Sequence, residues 1–357
     1  MAKRGIEDYS KHAARIDEHY SSKSNNAAKS RKHSPTYALR QLNNFCKRQL
    51  IASYVPQHAY VLDLAMGKGG DLQKMHDAEV LLYFGIDVAH ASVIAHASDR
   101  YNSSVYRRFD GFTARMLHGD AFTGDVQSAL SRLGFAGEVF DIVSMQFALH
   151  YAFHSENVAR SAVRNVSSSL CPGGLFIGIT VDSNVIVKKL REHLGLAFGN
   201  SVYRVEFDQT YSNKTFNQSN GAFGLEYAFT LEGAVDQCKE WLVHKKELQR
   251  LAQEESLELV TWTNLHEYIT TLVQSNASAR SMMFSHLQDA ELDEDEWEAI
   301  GLYVAFVFRK VGDKSAAPPR PEPPSKRPIT GEDIVAVPSS SIAQEHPPDL
   351  CEDGDAQ

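Results

Sequence analysis

Cysteine is scarce in this chain, and Cys46, Cys171, Cys238 and Cys351 form neither a C-x-x-C pair nor a disulfide-like spacing. That pattern argues against a zinc ribbon or a disulfide scaffold and suits a reducing compartment, with no metal site expected. Proline is nearly absent up to residue 310, where only Pro35, Pro56 and Pro172 occur. No apolar run is long enough to span a bilayer, and Met1-Ala2-Lys3-Arg4 leads into no signal-peptide core, so a soluble intracellular protein is expected. Positive charge is not in excess: the net charge of -9 excludes a generic polyanion binder and leaves room only for local contact with nucleic acid. Neither a Walker loop nor a G-x-G-x-x-G dinucleotide loop is spelled.

The most informative stretch is Val61-Leu62-Asp63-Leu64-Ala65-Met66-Gly67-Lys68-Gly69-Gly70-Asp71, an apolar run feeding a glycine turn that opens a helix. Small residues at Ala65, Gly67, Gly69 and Gly70 let the backbone approach a ligand closely. The next apolar run, Val80 to Ile86, ends at Asp87, about 20 residues past the glycines, where an acid grips a ribose in open α/β sheets. A third run ends at Asp120, suited to the exocyclic amine of an adenine, and a fourth, Phe140 to Phe147, carries Gln146. Asp63, Asp87, Asp120 and Gln146 at or beside strand ends suit S-adenosylmethionine, whose ammonium and sulfonium are cationic. The alternative is that strand-end Asp residues only cap the helices that follow them.

With 357 residues and 43% hydrophobic content, one substantial core is expected, with additional elements or tails. Residues 1–33 are basic and polar and read as a flexible segment; 34–310 reads as one catalytic domain; 311–357 reads as a disordered tail, proline-rich and then acidic. Apolar runs near 60–65, 81–87, 114–118, 139–147 and 174–180 alternate with helix-length segments, and further runs follow at Leu257 and Leu302. The expectation is an α/β Rossmann-like fold with a seven-stranded, mostly parallel sheet. Material from about 195 to 230, aromatic and polar, breaks the alternation and reads as an insertion over the strand ends.

Several motifs in order resemble those of eukaryotic mRNA cap (guanine-N7) methyltransferases, class I S-adenosylmethionine-dependent enzymes, in their plant-like branch. They include Leu42-Asn43-Asn44-Phe45-Cys46-Lys47, the Asp63 to Asp71 loop, Gly85-Ile86-Asp87-Val88-Ala89, Gln146-Phe147-Ala148-Leu149-His150-Tyr151, Phe198-Gly199-Asn200-Ser201-Val202-Tyr203, and Glu240-Trp241-Leu242-Val243. The last two are joined by Phe223-Gly224-Leu225-Glu226-Tyr227 and followed by Trp297-Glu298-Ala299 before Leu302-Tyr303.

The resemblance implies cofactor binding by Lys47, Asp63, Ala65, Gly67, Asp87, Asp120, Gln146 and Tyr151, with the insertion covering the cap. It implies a cap site of Asn43, Asn44, Lys68, Lys74, Arg100, His150, Glu240 and Tyr303. Guanine N7 has a free lone pair and no proton, so no catalytic acid or base is expected; His150, Tyr151 and Glu240 would position the reactants. Ala65, Met66 and Lys239 depart from the Gly, Cys and Pro common in relatives. The implied partner is RNA with a 5' GpppN end, in the nucleus, with a capping guanylyltransferase, RNA polymerase II or a small activator as further partners. Other RNA or small-molecule methylation, or cap binding without catalysis, are the competing functions.

Overall fold

Strands β1 (Tyr60–Asp63) and β4 (Phe140–Gln146) are buried along their whole length, which is why they read as unbroken apolar runs. In this computed structural model, residues 34–108, 110–216, 221–312 and 319–340 are described, together with Tyr9, Lys11, Ala13 and Ala14. The remaining strands of the main sheet are β2 (Leu82–Asp87), β3 (Thr113–His118), β5 (Leu170–Val181), β10 (Leu257–Asn264), β11 (Tyr303–Lys310) and β12 (Val335–Ala336). Their order is β10-β11-β5-β4-β1-β2-β3-β12. β1 pairs in parallel with both β2 and β4, so the chain reverses direction of travel across the sheet at β1, and the crevice at its carboxyl end is the expected ligand position. β11 runs antiparallel between β5 and β10.

Helix α1 (Tyr37–Tyr54) buries Leu39, Leu42, Phe45, Cys46 and Leu50 at helical spacing and leaves Asn43, Asn44 and Lys47 half-exposed. It stops at Val55, extended at φ -91 and ψ 111 as a residue before proline requires. Helix α2 (Leu72–Asp77) follows the glycine turn. The segment 92–105 is helical throughout, with π-helical turns at Ser92–Ala97 and Tyr101–Val105 on either side of Arg100. Helices α3 (Val126–Arg132), α4 (Leu149–Ala152), α5 (Glu156–Ser169) and α6 (Ser183–Glu192) alternate with the strands. No helix among the described residues is long and apolar enough to cross a membrane.

Four antiparallel strands, β6 (Ala197–Gly199), β7 (Tyr203–Glu206), β8 (Glu226–Leu231) and β9 (Val235–Trp241), form a second sheet. The insertion therefore reaches Trp241 rather than ending near 230. β9 was hidden because Val-Asp-Gln-Cys-Lys-Glu-Trp lacks an apolar alternation, most of its positions being solvated. Pro172-Gly173-Gly174 lies inside β5, where the pairing with β4 shifts register.

The main sheet has eight strands rather than seven, and the extra one comes from the segment expected to be disordered. Residues 319–340 lie against the domain. Tyr60 donates its hydroxyl to Pro321 O at 2.9 Å and Thr113 donates to Pro324 O at 3.2 Å. Proline lacks an N–H but keeps its carbonyl, and its restricted φ reduces the entropy lost on docking, so composition alone misjudged this stretch. Arg320 grips the buried carboxylate of Asp141, with one bond of 2.7 Å, and lies over the Tyr60 ring. Arg320→Ala strips that carboxylate of its cation and should lower unfolding free energy by about 2 kcal/mol in urea titrations. Tyr9 and Ala13 are likewise buried in the core, unlike the flexible segment expected there. Apart from these and the exposed Lys11 and Ala14, residues 1–33 lie outside the described residues, as does the acidic end of the tail.

Candidate active site

The turn after β1 is held in shape by its own backbone: Met66 N donates to Ile86 O at 3.1 Å and Gly69 N to Met66 O at 3.0 Å. Gly67 and Gly69 take φ of +53 and +67, which L side chains rarely adopt. A Cβ on Gly69 would also sit 2.7 Å from Leu72 and 3.3 Å from Ala97, so the turn packs directly on the following helices. The space a side chain at Gly85 would fill is taken by Met66.

Asp87 ends β2 beside this turn and accepts from Gly67 N at 2.7 Å and Ala89 N at 2.9 Å. Asp63 is buried, accepts from the Tyr83 hydroxyl at 2.9 Å and from Ala65 N at 3.4 Å. Burial pushes Asp63 up to about 7, and Asp71 nearby adds to the rise. Asp71 is buried too, but Lys47 and Lys74 at 2.8 and 2.7 Å outweigh the burial and hold it at about 2. Lys74, placed in the cap site by the resemblance, is buried; its ammonium also donates to Asn44 Oδ1 at 3.1 Å and Gly70 O at 3.0 Å. Lys68 is half-buried and Arg100 exposed; burial, then their charges, lower the pKa of His96 between them.

Asp120 sits just past β3 and accepts from Phe122 N at 2.8 Å, from the Thr123 hydroxyl, and from the Tyr9 hydroxyl at 3.5 Å. Burial raises its pKa against those hydrogen bonds. Gln146, at the end of β4, donates to Ser144 Oγ at 3.2 Å while its Oε1 is buried with no hydrogen-bond partner among the described residues. Asn43 Oδ1 is in the same state. An orphaned acceptor at the end of β4, carboxylates at or just past the ends of β1, β2 and β3, and a turn open at Gly67 fit a nucleoside with an attached cationic amino acid.

Past β4 the chain turns sharply into α4 through Phe147, whose φ of +58 is strained for an aromatic residue. The turn carries His150 and Tyr151 inward, with ring centroids 4.3 Å apart, and sets Phe147 edge-on to Tyr303 at 5.0 Å. Glu240 comes from β9 and is 5% exposed. Its Oε2 accepts from the Tyr227 hydroxyl at 2.7 Å, and Oε1 lies 3.6 Å from His150 Nε2. Burial pushes the Glu240 carboxyl up to about 7, against the hydrogen bond from Tyr227. Lys239 pairs with Glu226 at 2.7 Å on the outer face, so the unusual lysine leaves Glu240 facing inward.

The expected residues thus fall into a strand-end set, Asp63, Asp87, Asp120 and Gln146, and a second set, His150, Tyr151 and Glu240, formed by α4 and β9. Phe147, Tyr227, Tyr83 and Tyr9 were missed. Tyr227 had a signal in the Phe223 to Tyr227 motif and Phe147 in the Gln146 to Tyr151 motif; Tyr83 and Tyr9 had none. A cleft of about 500 Å³ opens beside the second sheet, lined in part by Lys188, Arg191, Phe216 and Leu242, and contains none of the expected residues.

The model of the mRNA (guanine-N(7))-methyltransferase domain matches residues 5–311. The chain is 42% identical over 315 residues to mRNA cap guanine-N(7) methyltransferase 1 of Arabidopsis thaliana, across 85% of this chain and 83% of that protein. It is 42% identical over 324 residues to the protein of the same name in Oryza sativa subsp. japonica, across 88% and 84%. Against the mRNA cap guanine-N(7) methyltransferase of Saccharomyces cerevisiae it is 35% identical over 307 residues, across 83% and 70%. With its mostly parallel sheet and these matches, the chain belongs to the mRNA (guanine-N(7))-methyltransferase family, S-adenosylmethionine-dependent enzymes of the cap guanine, in its plant-like branch.

Proposed function

We propose that this protein methylates N7 of the terminal guanine of capped nascent mRNA, and that it does so by position and charge rather than by proton transfer. The observation that carries this is the buried carboxylate of Glu240, fixed by Tyr227 and facing His150. A carboxylate kept out of water is a selective acceptor for the N1 and N2 hydrogens of guanine. It also favours the positive charge the base acquires, and His150 and Tyr303 would hold the base edge and face.

On the cofactor side, S-adenosylmethionine supplies an activated methyl on a sulfonium. Asp87 would bind the ribose hydroxyls, Asp120 the adenine amine, and Asp63, Ala65, Gly67, Gln146 and Tyr151 would surround the rest. Lys47 would turn toward the methionine carboxylate, sharing it with Asp71. Asn43, Asn44, Lys68, Lys74 and Arg100 would meet the cap and its phosphates. The nucleophile has no proton to lose, so alignment alone can be worth about 7–11 kcal/mol. Action in the nucleus, after a guanylyltransferase has made the GpppN end and in company with RNA polymerase II or a small activator, follows from where such a substrate arises.

The test is transfer of labelled methyl from S-adenosylmethionine to GpppG-capped RNA, with nuclease digestion to locate the label and uncapped RNA as control. Label at guanine N7 of capped RNA alone is expected. Transfer to uncapped RNA, or cap binding without transfer, would overturn the proposal.

A further inference from the structure

The segment 319–340 does more than cover a sheet edge, because it finishes at the loop that carries Asp120. β12 pairs in parallel with the end of β3, Val335 opposite Leu117 and Ala336 opposite His118. Just beyond, Val337 N donates to His118 O at 2.9 Å and Asp125 N donates to Pro338 O at 2.8 Å, so both ends of the 118–125 loop are tied to the adjacent residues Val337 and Pro338. Gly124 and Ser339 form a further bridge.

Between those ties the Val337 side chain fills space left by two glycines. A Cβ on Gly119 would lie 2.7 Å from Val337 Cβ, and one on Gly124 would lie 2.6 Å from Val337 Cγ1. Gly119 also holds φ +149, outside the range of ordinary residues. Asp120 is thus next to one of the two contacts, and its carboxylate direction depends on the loop that Val337 underpins. Upstream, Asn102 and Ile329 exchange hydrogen bonds of 2.8 and 2.9 Å, and Lys326 donates to Arg108 O, fixing the approach of the segment.

We infer that Val337 is a positioning residue for cofactor recognition: the C-terminal segment sets the Asp120 carboxylate in register with the adenine amine. This rests on the reading of Asp120 given above. No contact between Val337 and cofactor is required; Val337 acts through the backbone of the loop.

The experiment compares, by calorimetric titration of the full chain, S-adenosylhomocysteine with its analogue lacking the 6-amino group. Wild-type protein should prefer the parent by about 30-fold, the value of one charge-assisted hydrogen bond. Val337→Asp, which expels the side chain from between the glycines, should reduce that preference to within about threefold, and Val337→Ala should fall between them. A change in stability alone does not alter the ratio of two affinities measured on folded protein. Wild-type preference retained in both Val337 variants would overturn the inference while leaving Asp120 in place. If Val337→Asp does not fold, Val337→Ala decides in the same way. Indifference of the wild type to the amine would remove the Asp120 assignment and the inference with it.

Discussion

Asp87→Ala is expected to fold and yet to bind S-adenosylmethionine at least about 100-fold more weakly, measured by calorimetric titration. Hydrogen bonds to a charged group contribute about 1.5–3 kcal/mol each, and two ribose hydroxyls would both be lost. Because every ~1.4 kcal/mol is a factor of ten, the loss of either bond already costs an order of magnitude. A second effect adds to this. Asp87 also accepts from Gly67 N and Ala89 N, so its removal frees the glycine turn as well as the ribose. Asp87→Asn separates the two, since its amide oxygen can still accept from Gly67 N while the charge is gone; it should fall between wild type and alanine. Unchanged affinity in the alanine variant would remove Asp87 from the cofactor site.

Glu240→Ala should lower kcat/KM for capped RNA by about 100-fold or more while leaving cofactor affinity near wild type, the size expected when a buried charged partner is withdrawn. The Tyr227 hydroxyl loses its acceptor in the same change, so some loss of stability accompanies it. The sharper measurement is the pH profile. With the Glu240 carboxyl pushed up to about 7, the side chain is an acceptor above that pH and carries a competing proton below it. Activity toward cap should therefore fall as pH drops through 7, approaching about tenfold per pH unit. Asp63 titrates in the same region but sits by the cofactor turn, so its protonation would register in cofactor affinity instead. Glu240→Gln should flatten the cap-dependent limb only. A profile identical to wild type in the Gln variant would show that Glu240 does not touch the base.

What could be read in the sequence was what depends on burial from both sides. β1, β2, β4 and β11 are apolar because helices cover them, and the acids at the ends of β1, β2 and β3 stand out against those runs. What could not be read depends on partners distant in sequence. Nothing in the sequence around Lys74 shows that α1 and the glycine turn bring Asn44 and Asp71 to it and bury it. The solvated strand β9 gave no period, so the sequence did not show that Glu240 lies on a strand. Phe147 gave no warning either, because left-handed backbone at an aromatic residue is imposed by the turn around it rather than by its own preference. Proline density misled about 319–340 because it reports which backbone bonds a segment cannot make and is silent about carbonyls that neighbouring hydroxyls can use.

The eighth strand also bears on how the protein is made. Ile329 meets Asn102 across 227 positions of sequence, so on a ribosome the outer side of β3 stands open until almost the whole described chain has emerged. An unpaired edge in that interval is a template for pairing with other chains. Contacts of such long range also form slowly. Synthesis that halts after the last long strand, β11, therefore releases a chain with every other strand of the sheet and an uncovered β3 edge, so arrested products are expected to aggregate more readily than the full chain.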